Sequence, residues 1–395
     1  MKMNCYLEKI EDLANYQHIS EVILQVKEFS RFGKISIEQA HSMAKLARAA
    51  GKQVALEWDI LMTENVFRQT IKLIEQIDFS LFDNIRVQDP GAVQWMIDHQ
   101  QMTKVALILE TGNHNYLGIE AWCKSLGQQL SKVVLSIELP HERLKNFCEK
   151  LHQRNIEVEL LGLGRILLFY TPRSLLLPVV YGHEDDKEKI VHGEILERLA
   201  SSEESPHKGF PVVESSHGTF MFHIKEHWLL ENINELMDMK LDWLRIDLRF
   251  GKDKSLMIKI ADQVLNPTTT FAQALKEIYP ADLIKGFFNV NKTDVLFGKL
   301  KNMKLQRKDE NYIGDVYEVL KEDCLIFMNR HKNLPIKVGL ELVIINPDGK
   351  EIHATIKKLR NSEAKDVDSI AYEQLAVINY IGSVVARSQV YLKDL

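Results

Sequence analysis

The sequence contains little cysteine, with four residues in a chain of 395. They are scattered along the chain, and no two have the spacing of a C-x-x-C pair. This pattern is not that of a disulfide framework or a zinc ribbon, and scattered cysteines are usually small buried apolar residues. The four are Cys5, Cys123, Cys148 and Cys324.

The sequence also lacks a long hydrophobic run. Its first residues, MKMNCYLEKIEDL, do not form the apolar segment of a secretory signal. The apolar stretch Ser174–Val180 is interrupted by Pro178 and is too short to cross a bilayer. We therefore expect a cytoplasmic protein with no membrane partner.

The sequence has no strong net charge, because its 55 acidic residues nearly balance its 50 basic residues and give a formal charge of -5. Nothing in the overall charge attracts nucleic acid, although a local basic patch could do so. Hydrophobic residues make up 45% and charged residues 27%, as in ordinary globular proteins. The length allows one large domain and a smaller one.

Short apolar segments alternate with amphipathic ones through the first 250 residues or so, which predicts repeated βα units and parallel strands. Eight such strands indicate an irregular TIM-like (β/α)8 barrel over residues 1–298, with a doubly wound open sheet as the alternative. The predicted strands are Asn4–Glu8, Glu21–Val26, Gln53–Asp59, Asn84–Asp89, Val105–Thr111, Val133–Leu139, Ile156–Gly162 and Leu241–Leu248.

The alternation breaks at an insertion over about residues 181–226. Its first part, Tyr181–Lys208, is polar and is predicted to be a solvated excursion. Its second part, Gly209–Ile224, is predicted to be a β-hairpin with its turn at Ser215–Gly218. A basic linker over 299–311, containing Lys299–Lys308, is then predicted to lead into a small C-terminal β-barrel-like domain over 312–395.

Polar and charged residues recur where the predicted strands end, and in a βα barrel those ends carry the functional groups. Carboxylates could perform acid–base chemistry, and arginines suit an anionic ligand. Each residue taken alone could equally be a helix cap or a surface charge. The candidate catalytic residues are Asp59, Glu110, Glu138 and Asp247, and the candidate ligand-binding residues at these ends are Arg31, Gln88, Asp89, Arg165 and Arg249.

Metal and nucleotide motifs are missing from the sequence. His223 and His227 are four residues apart but belong to no H-E-x-x-H motif, so we interpret them as hairpin residues and predict no metal site. No G-x-S-x-G, P-loop or dinucleotide fingerprint occurs.

Residues 156–176, IEVELLGLGRILLFYTPRSLL, contain Glu159, Gly164, Tyr170, Arg173 and Leu176 at a characteristic spacing. This stretch resembles the signature of the U32 peptidase (collagenase-like protease) family, and the resemblance adds Glu159, Tyr170 and Arg173 to the candidate ligand-binding residues. The histidine of that signature falls on Leu163, and its two cysteines fall on Leu167 and Ser174.

Further short motifs resemble the same family in the same order along the chain. The resemblance implies a TIM-like barrel with a small β module. Members are described as collagenase-like peptidases, and others support hydroxylation of RNA or ubiquinone precursors with a [4Fe–4S] cluster on four cysteines. The motifs are Phe29-Ser30-Arg31, Val87–Gly91, Leu135–Leu139, Gly218–Phe220, Arg245–Arg249, Lys285–Phe288 and Tyr312–Val316.

Because Leu167 and Ser174 cannot ligate iron as thiolates do, we expect no [4Fe–4S] cluster and no other cofactor. The hypothesis that we rank first is a cluster-less binding or partner subunit beside a cluster-bearing relative, with a polar pocket for a small anion at the barrel mouth. The second is an active hydrolase or peptidase that uses the carboxylates and arginines. The third is an accessory protein in RNA modification, which holds RNA with Lys299–Lys308 and the C-terminal domain.

Overall fold

The computed structural model describes residues 1–99, 103–110, 115–177, 195–202, 205–289, 309–321, 323–347 and 350–393. The predicted basic segment 299–308 and residues 181–194 of the predicted insertion lie outside these ranges. The chain divides into two compact units, Met1–Asn291 and Lys292–Leu395.

Eight parallel strands of the first unit close into a barrel. Each strand from β1 to β6 pairs with the next strand along the chain, and β11 pairs with both β7 and β1. This closure confirms the predicted TIM-like barrel and excludes the open sheet. Within the described residues the strands are β1 (Lys2–Tyr6), β2 (Glu21–Leu24), β3 (Gln53–Trp58), β4 (Asn84–Val87), β5 (Lys104–Ile108), β6 (Leu130–Val134), β7 (Glu157–Thr171), β8 (Leu196–Ser202), β9 (Ser205–Ser215), β10 (Gly218–Trp228), β11 (Trp243–Ile246) and β12 (Leu283–Ile284).

Amphipathic helices connect the strands and cover the outside of the barrel. In α1 the apolar residues recur at helical spacing and are buried, and a capping box between Ser36 and Gln39 starts the helix. The first connection, predicted as a helix, is a 3₁₀ helix over Ile10–Asn15, and two more lie at Phe79–Leu81 and Gly127–Gln129. The described α-helices are α1 (Ile37–Ala49), α2 (Glu64–Ile74), α3 (Pro90–Asp98), α4 (Tyr116–Leu126), α5 (His141–His152), α6 (Ile233–Asp238), α7 (Leu256–Leu265) and α8 (Thr269–Ile278).

Strand β7 corrects the prediction that the seventh strand ends at Gly162. The strand continues to Thr171, because β10 pairs with it beyond the barrel. Both glycines permit this path. A Cβ on Gly162 would lie 2.4 Å from Leu244 Cδ1, and Gly164 has a φ of +151° with its Cβ position 2.7 Å from Asp247 Cβ.

The predicted hairpin is present as β9 and β10, with Ser215 and Gly218 paired across its turn. The part of the chain predicted as a solvated excursion contains β8, which adds a third antiparallel strand beside β9. Phe220 and Phe222 of β10 pack with Phe32 in a separate apolar cluster.

The second unit is a curled antiparallel sheet with its own apolar core, which includes Ile313, Phe327, Ile344 and Ile378. The sheet order is β17-β16-β21-β13-β14-β20-β18, with β15 and β19 paired apart from it. Its described strands are β13 (Tyr312–Leu320), β14 (Cys324–Met328), β15 (Ile336–Lys337), β16 (Glu341–Ile345), β17 (Glu351–Thr355), β18 (Leu359–Arg360), β19 (Ser369–Ile370), β20 (Leu375–Asn379) and β21 (Gln389–Leu392).

Among the described residues, no helix is both long enough and apolar enough to cross a membrane.

Candidate functional site

A cavity of about 260 Å³ lies at the mouth of the barrel, where the parallel strands end. Five carboxyl groups and four guanidinium groups are among its lining residues. The structure therefore brings together most of the residues predicted from the strand ends. The predicted residues that line the cavity are Arg31, Asp59, Gln88, Glu110, Glu138, Arg165, Asp247 and Arg249.

Four predicted residues lie elsewhere. Asp89 caps α3, because its carboxylate accepts from the backbone N–H of Ala92 at 3.0 Å and of Met62 at 3.1 Å. Tyr170 donates its hydroxyl to the His217 carbonyl at 3.3 Å, and the Arg173 side chain is exposed. The fourth, Glu159, lies inside the barrel.

Glu159 is completely buried beneath the cavity and bound by several cations. Its Oε2 accepts from Arg86 Nη1 and from Asn4 Nδ2, each at 2.7 Å, while Oε1 accepts from Arg245 Nη1 at 3.2 Å. Lys132 Nζ is 3.6 Å away. The geometry makes Glu159 part of the barrel interior.

A second ion pair lies in the same interior. Lys132 Nζ donates to Glu21 Oε1 at 2.7 Å and stands 3.8 Å from the centre of the Trp243 ring. Asn84 donates to the other Glu21 oxygen at 2.6 Å. Burial alone would raise the pKa of Glu21, but Lys132 and then Arg86 outweigh it, so the pKa is lowered.

Glu57 at the cavity floor and the interior arginines Arg86 and Arg245 were not predicted as site residues. A signal was available, because each stands two residues before a predicted residue on the same strand and so points to the same side of the sheet. Glu57 precedes Asp59, Arg86 precedes Gln88, and Arg245 precedes Asp247. Glu57 is 2% exposed and lines the cavity.

In two arginines of the lining, Arg245 and Arg249, both terminal nitrogen atoms donate to neighbouring side chains. Arg249 makes a two-pronged contact with Asp247, from Nε at 2.9 Å and from Nη2 at 2.7 Å, and its Nη1 donates to Gln25 Oε1 at 2.9 Å. Burial opposes ionisation of Asp247, but Arg249 outweighs it and lowers the pKa of this carboxyl. Arg245 bridges Glu159 and Glu110.

The other two arginines have unused terminal donors. Arg31 Nε donates to the Asp59 carbonyl at 3.0 Å, but among the described residues neither Nη atom has an acceptor. Arg165 Nη2 donates to Glu197 at 2.5 Å, whereas its buried Nη1 has no partner there. The guanidinium of Arg165 lies 4.3 Å from the Phe250 ring centre, which holds it in place.

No cysteine lines the cavity. All four are buried as free thiols, in β1, α4, α5 and β14, and burial raises the pKa of Cys148 to about 12. Leu167, at a position of a family cysteine, lines the cavity, and Ser174 at the other is exposed. Within the part of the chain that the structure describes, no group of three His, Cys, Asp or Glu residues could hold a metal ion. The residues present do not fit a cluster held by four thiolates.

Comparison with protein families gives a match over most of the chain. The model of the family described as peptidase family U32 matches residues 7–295. No curated protein matches the sequence.

Several solved structures are similar at low identity. The U32 peptidase Mk0906 is 11% identical over 41% of this chain and 69% of its own, with a TM-score of 0.32. The spore cortex-lytic enzyme SleL of Bacillus cereus is 10% identical over 67% of this chain and 74% of its own, with a TM-score of 0.34. A chitinase from Chromobacterium violaceum is 9% identical over 68% and 99%, with a TM-score of 0.34.

Proposed function

The chain belongs to peptidase family U32, and on that premise we propose that it is a cluster-less binding subunit. Its ligand is a small anionic molecule, held in the cavity at the barrel mouth. The observation that carries this proposal is the pair of arginines Arg31 and Arg165. Both Nη atoms of Arg31, and Nη1 of Arg165, have no acceptor among the described residues.

A buried guanidinium group requires hydrogen-bond acceptors, and this requirement supports an anionic ligand. A buried N–H without a partner costs roughly 1–3 kcal/mol, and a carboxylate is the acceptor that best fits a guanidinium fork. The cavity volume of about 260 Å³ lies below the range of about 300–1,000 Å³ usual for drug-sized ligands, so the ligand is small.

The ion pairs favour binding over hydrolysis. Three of the four candidate catalytic residues are bound by arginines: Asp247 by Arg249, Glu110 by Arg245, and Asp59 by the backbone N–H of Arg31 at 2.8 Å, with Arg31 Nε 3.7 Å away. Burial opposes ionisation of Asp247, but Arg249 outweighs it and lowers the pKa, which makes this carboxylate a weak base.

The absence of a cluster is supported by the chemistry at the signature positions. Leu167 presents a hydrocarbon to the cavity, and the buried thiol of Cys148 is far from the thiolate form that iron requires. Metal analysis of protein purified without oxygen tests this part, since stoichiometric iron and sulfide would contradict it.

Mutation of the two arginines tests the ligand class. We expect Arg31→Ala and Arg165→Ala each to weaken the binding of acetate, valerate or phosphate by about tenfold to hundredfold, because each loses a charge-assisted hydrogen bond. Isothermal titration calorimetry measures the affinities, and melting curves confirm that the variants are folded.

Arg173→Ala is the matched control, because Arg173 also follows the barrel part of β7 but its side chain is exposed and outside the cavity lining. Binding that responds equally to all three variants, or no binding of any of these anions by the unmodified protein, would overturn the proposal.

A partner role is the second component of the proposal. Leu168, Phe169 and Leu175 are each 47% exposed on β7 and the segment after it, and exposed apolar side chains can contribute to a contact with another protein. Co-expression with a U32 relative that keeps all four cysteines should give a complex, and Phe169→Ser should weaken it. Capture of RNA instead, with a steep dependence on salt, would favour the accessory role in RNA modification.

A further inference from the structure

We propose that Glu57 is a neutral carboxylic acid at the floor of the cavity and donates a hydrogen bond to an uncharged oxygen of the ligand. The site then selects small oxo- or hydroxy-acids over simple acids of equal length. This inference rests on the proposed function, because the anionic end of such a ligand would bind Arg31 and Arg165.

The immediate partners of Glu57 are uncharged. Gln25 Nε2 donates to Glu57 Oε2 at 2.9 Å, and the Tyr6 hydroxyl is 3.3 Å from Oε1. The Gln25 amide is fixed in this direction, since its Oε1 accepts from Arg249 Nη1. The closest ion-pair contact of the Glu57 carboxyl is Arg86 Nε at 3.6 Å, beyond normal hydrogen-bond length.

The neighbouring arginines make their shortest contacts with other buried carboxylates and not with Glu57. Arg86 Nη1 is 2.7 Å from Glu159, and Arg249 binds Asp247 through two nitrogen atoms. Arg245 is shared between Glu159 and Glu110. Glu57 is 2% exposed, and an ionised carboxylate that is buried without a hydrogen bond to a cation destabilises the folded state. A carboxylate in such a place usually takes up a proton and becomes neutral.

The groups around Glu57 come from several strands. Tyr6 faces Glu57 from β1, and Arg86 faces it from β4. Arg245 of β11 and Arg249, which follows β11, also lie near Glu57. Asp59 comes two residues after Glu57, just past the end of β3. Burial first, and then the charge of Asp59, raise the pKa of Glu57 against the opposing effect of the three arginines.

A proton on Glu57 is available to a ligand. Oε2 accepts from Gln25 at 2.9 Å, whereas Oε1 accepts only the longer bond from the Tyr6 hydroxyl, so we assign the hydrogen to Oε1. Its nearest contact, the Tyr6 hydroxyl at 3.3 Å, is longer than the usual 2.7–2.8 Å, so a better-placed oxygen can replace it.

The apolar residues of the cavity wall indicate that the ligand also has a hydrocarbon part. Ile108, Leu161 and Phe222 line the cavity together with the rim arginines and Glu57. A ligand that satisfies all three features has an anionic group, a short hydrocarbon part and an uncharged carbonyl or hydroxyl oxygen. The proton stays on Glu57 throughout, so no reaction is implied.

The first experiment examines Glu57 without any ligand. The infrared difference spectrum between the unmodified protein and Glu57→Gln at neutral pH should contain the C=O stretch of a protonated carboxyl group. The bands of an ionised carboxylate in its place would overturn the proposal, whether or not an anion binds.

The second experiment compares lactate with propionate and levulinate with valerate, by calorimetry. Each pair has equal carbon number. We expect the oxo- or hydroxy-acid to bind about tenfold more tightly, which corresponds to about 1.4 kcal/mol for the additional hydrogen bond. Glu57→Gln keeps a donor and should retain the preference, whereas Glu57→Leu should abolish it.

The outcomes separate the two proposals. Binding of simple acids without any preference for their oxygen-bearing counterparts overturns the role of Glu57 and leaves the anion site standing. If none of these acids binds, the ligand class fails in both proposals, while the infrared band still decides whether Glu57 is neutral.

Discussion

Replacement of Lys132 by methionine tests whether the charges inside the barrel depend on one another. Lys132 is 2% exposed, donates to Glu21 at 2.7 Å and lies 3.6 Å from Glu159. Methionine preserves most of the volume but leaves Glu21 without its closest cation. Removing one member of a buried ion pair costs about 3–5 kcal/mol, so we expect the free energy of unfolding to fall by about that amount.

Urea denaturation followed by circular dichroism measures the effect. The double variant Lys132→Met with Glu21→Gln should recover about half of the loss or more, because an uncharged amide at position 21 no longer requires a cation. Arg68→Met is the control, since Arg68 pairs with Glu64 at 71% exposure and should change stability by less than about 0.5 kcal/mol.

The pH dependence provides an independent check. Lys132 helps to lower the pKa of Glu21 in the folded protein. The ion pair therefore stabilises the fold fully above the pKa of Glu21 in the unfolded chain, near 4.5, and this stabilisation is lost as the pH falls through the lower pKa of the folded state. The stability difference between the unmodified protein and Lys132→Met should therefore narrow below pH 4.5. A difference below about 1 kcal/mol at neutral pH, or one that widens in acid, would refute this reasoning.

Three further predictions concern single side chains. Both ring nitrogens of the buried His227 lack a partner among the described residues, and burial lowers its pKa from 6.5 to about 4. Stability should thus be lost as the pH falls from 6.5 towards 4, and His227→Leu should lose less across that interval in thermal melts. Glu57 has a raised pKa, so its contribution is present below 4.5 and is lost as the pH rises through the folded value. Glu57→Gln should accordingly gain stability relative to the unmodified protein as the pH rises, and parallel curves would contradict this. Gly162→Ala should lower the free energy of unfolding by about 1–3 kcal/mol through overpacking, because the new Cβ would lie 2.4 Å from Leu244 Cδ1. Gly51→Ala is the control for backbone strain, because Gly51 has a φ of +75° but no atom within 4 Å of its Cβ position.

The βα alternation was sufficient to predict the barrel, and most of the residues predicted at the strand ends line the cavity. Both follow from local pattern, because parallel strands in a closed barrel bring their carboxyl ends to one side whatever the connections are. Asp59, Glu110 and Asp247 were placed together in this way, although they are far apart in sequence. The domain boundaries and the chemical roles of these residues stay predictions.

The length of β7, which the sequence pattern did not predict, depends on pairing between strands that are far apart in the chain. Strand β7 continues past Gly162 only because β10, more than fifty residues later, supplies its hydrogen-bonding partner. The local signal, two glycines around Leu163, resembled a turn.

The sequence by itself determined which residue types stand at the mouth of the barrel and which thiolates are missing from the family signature. Only the tertiary structure decided which charges neutralise one another, because partners such as Lys132 and Glu21 are 111 residues apart and meet across the barrel interior. That pairing leaves donors unused on Arg31 and Arg165, and it leaves Glu57 without a hydrogen bond to a cation, since Arg86 Nε is 3.6 Å away. The chemistry of the cavity depends on this three-dimensional distribution of charge.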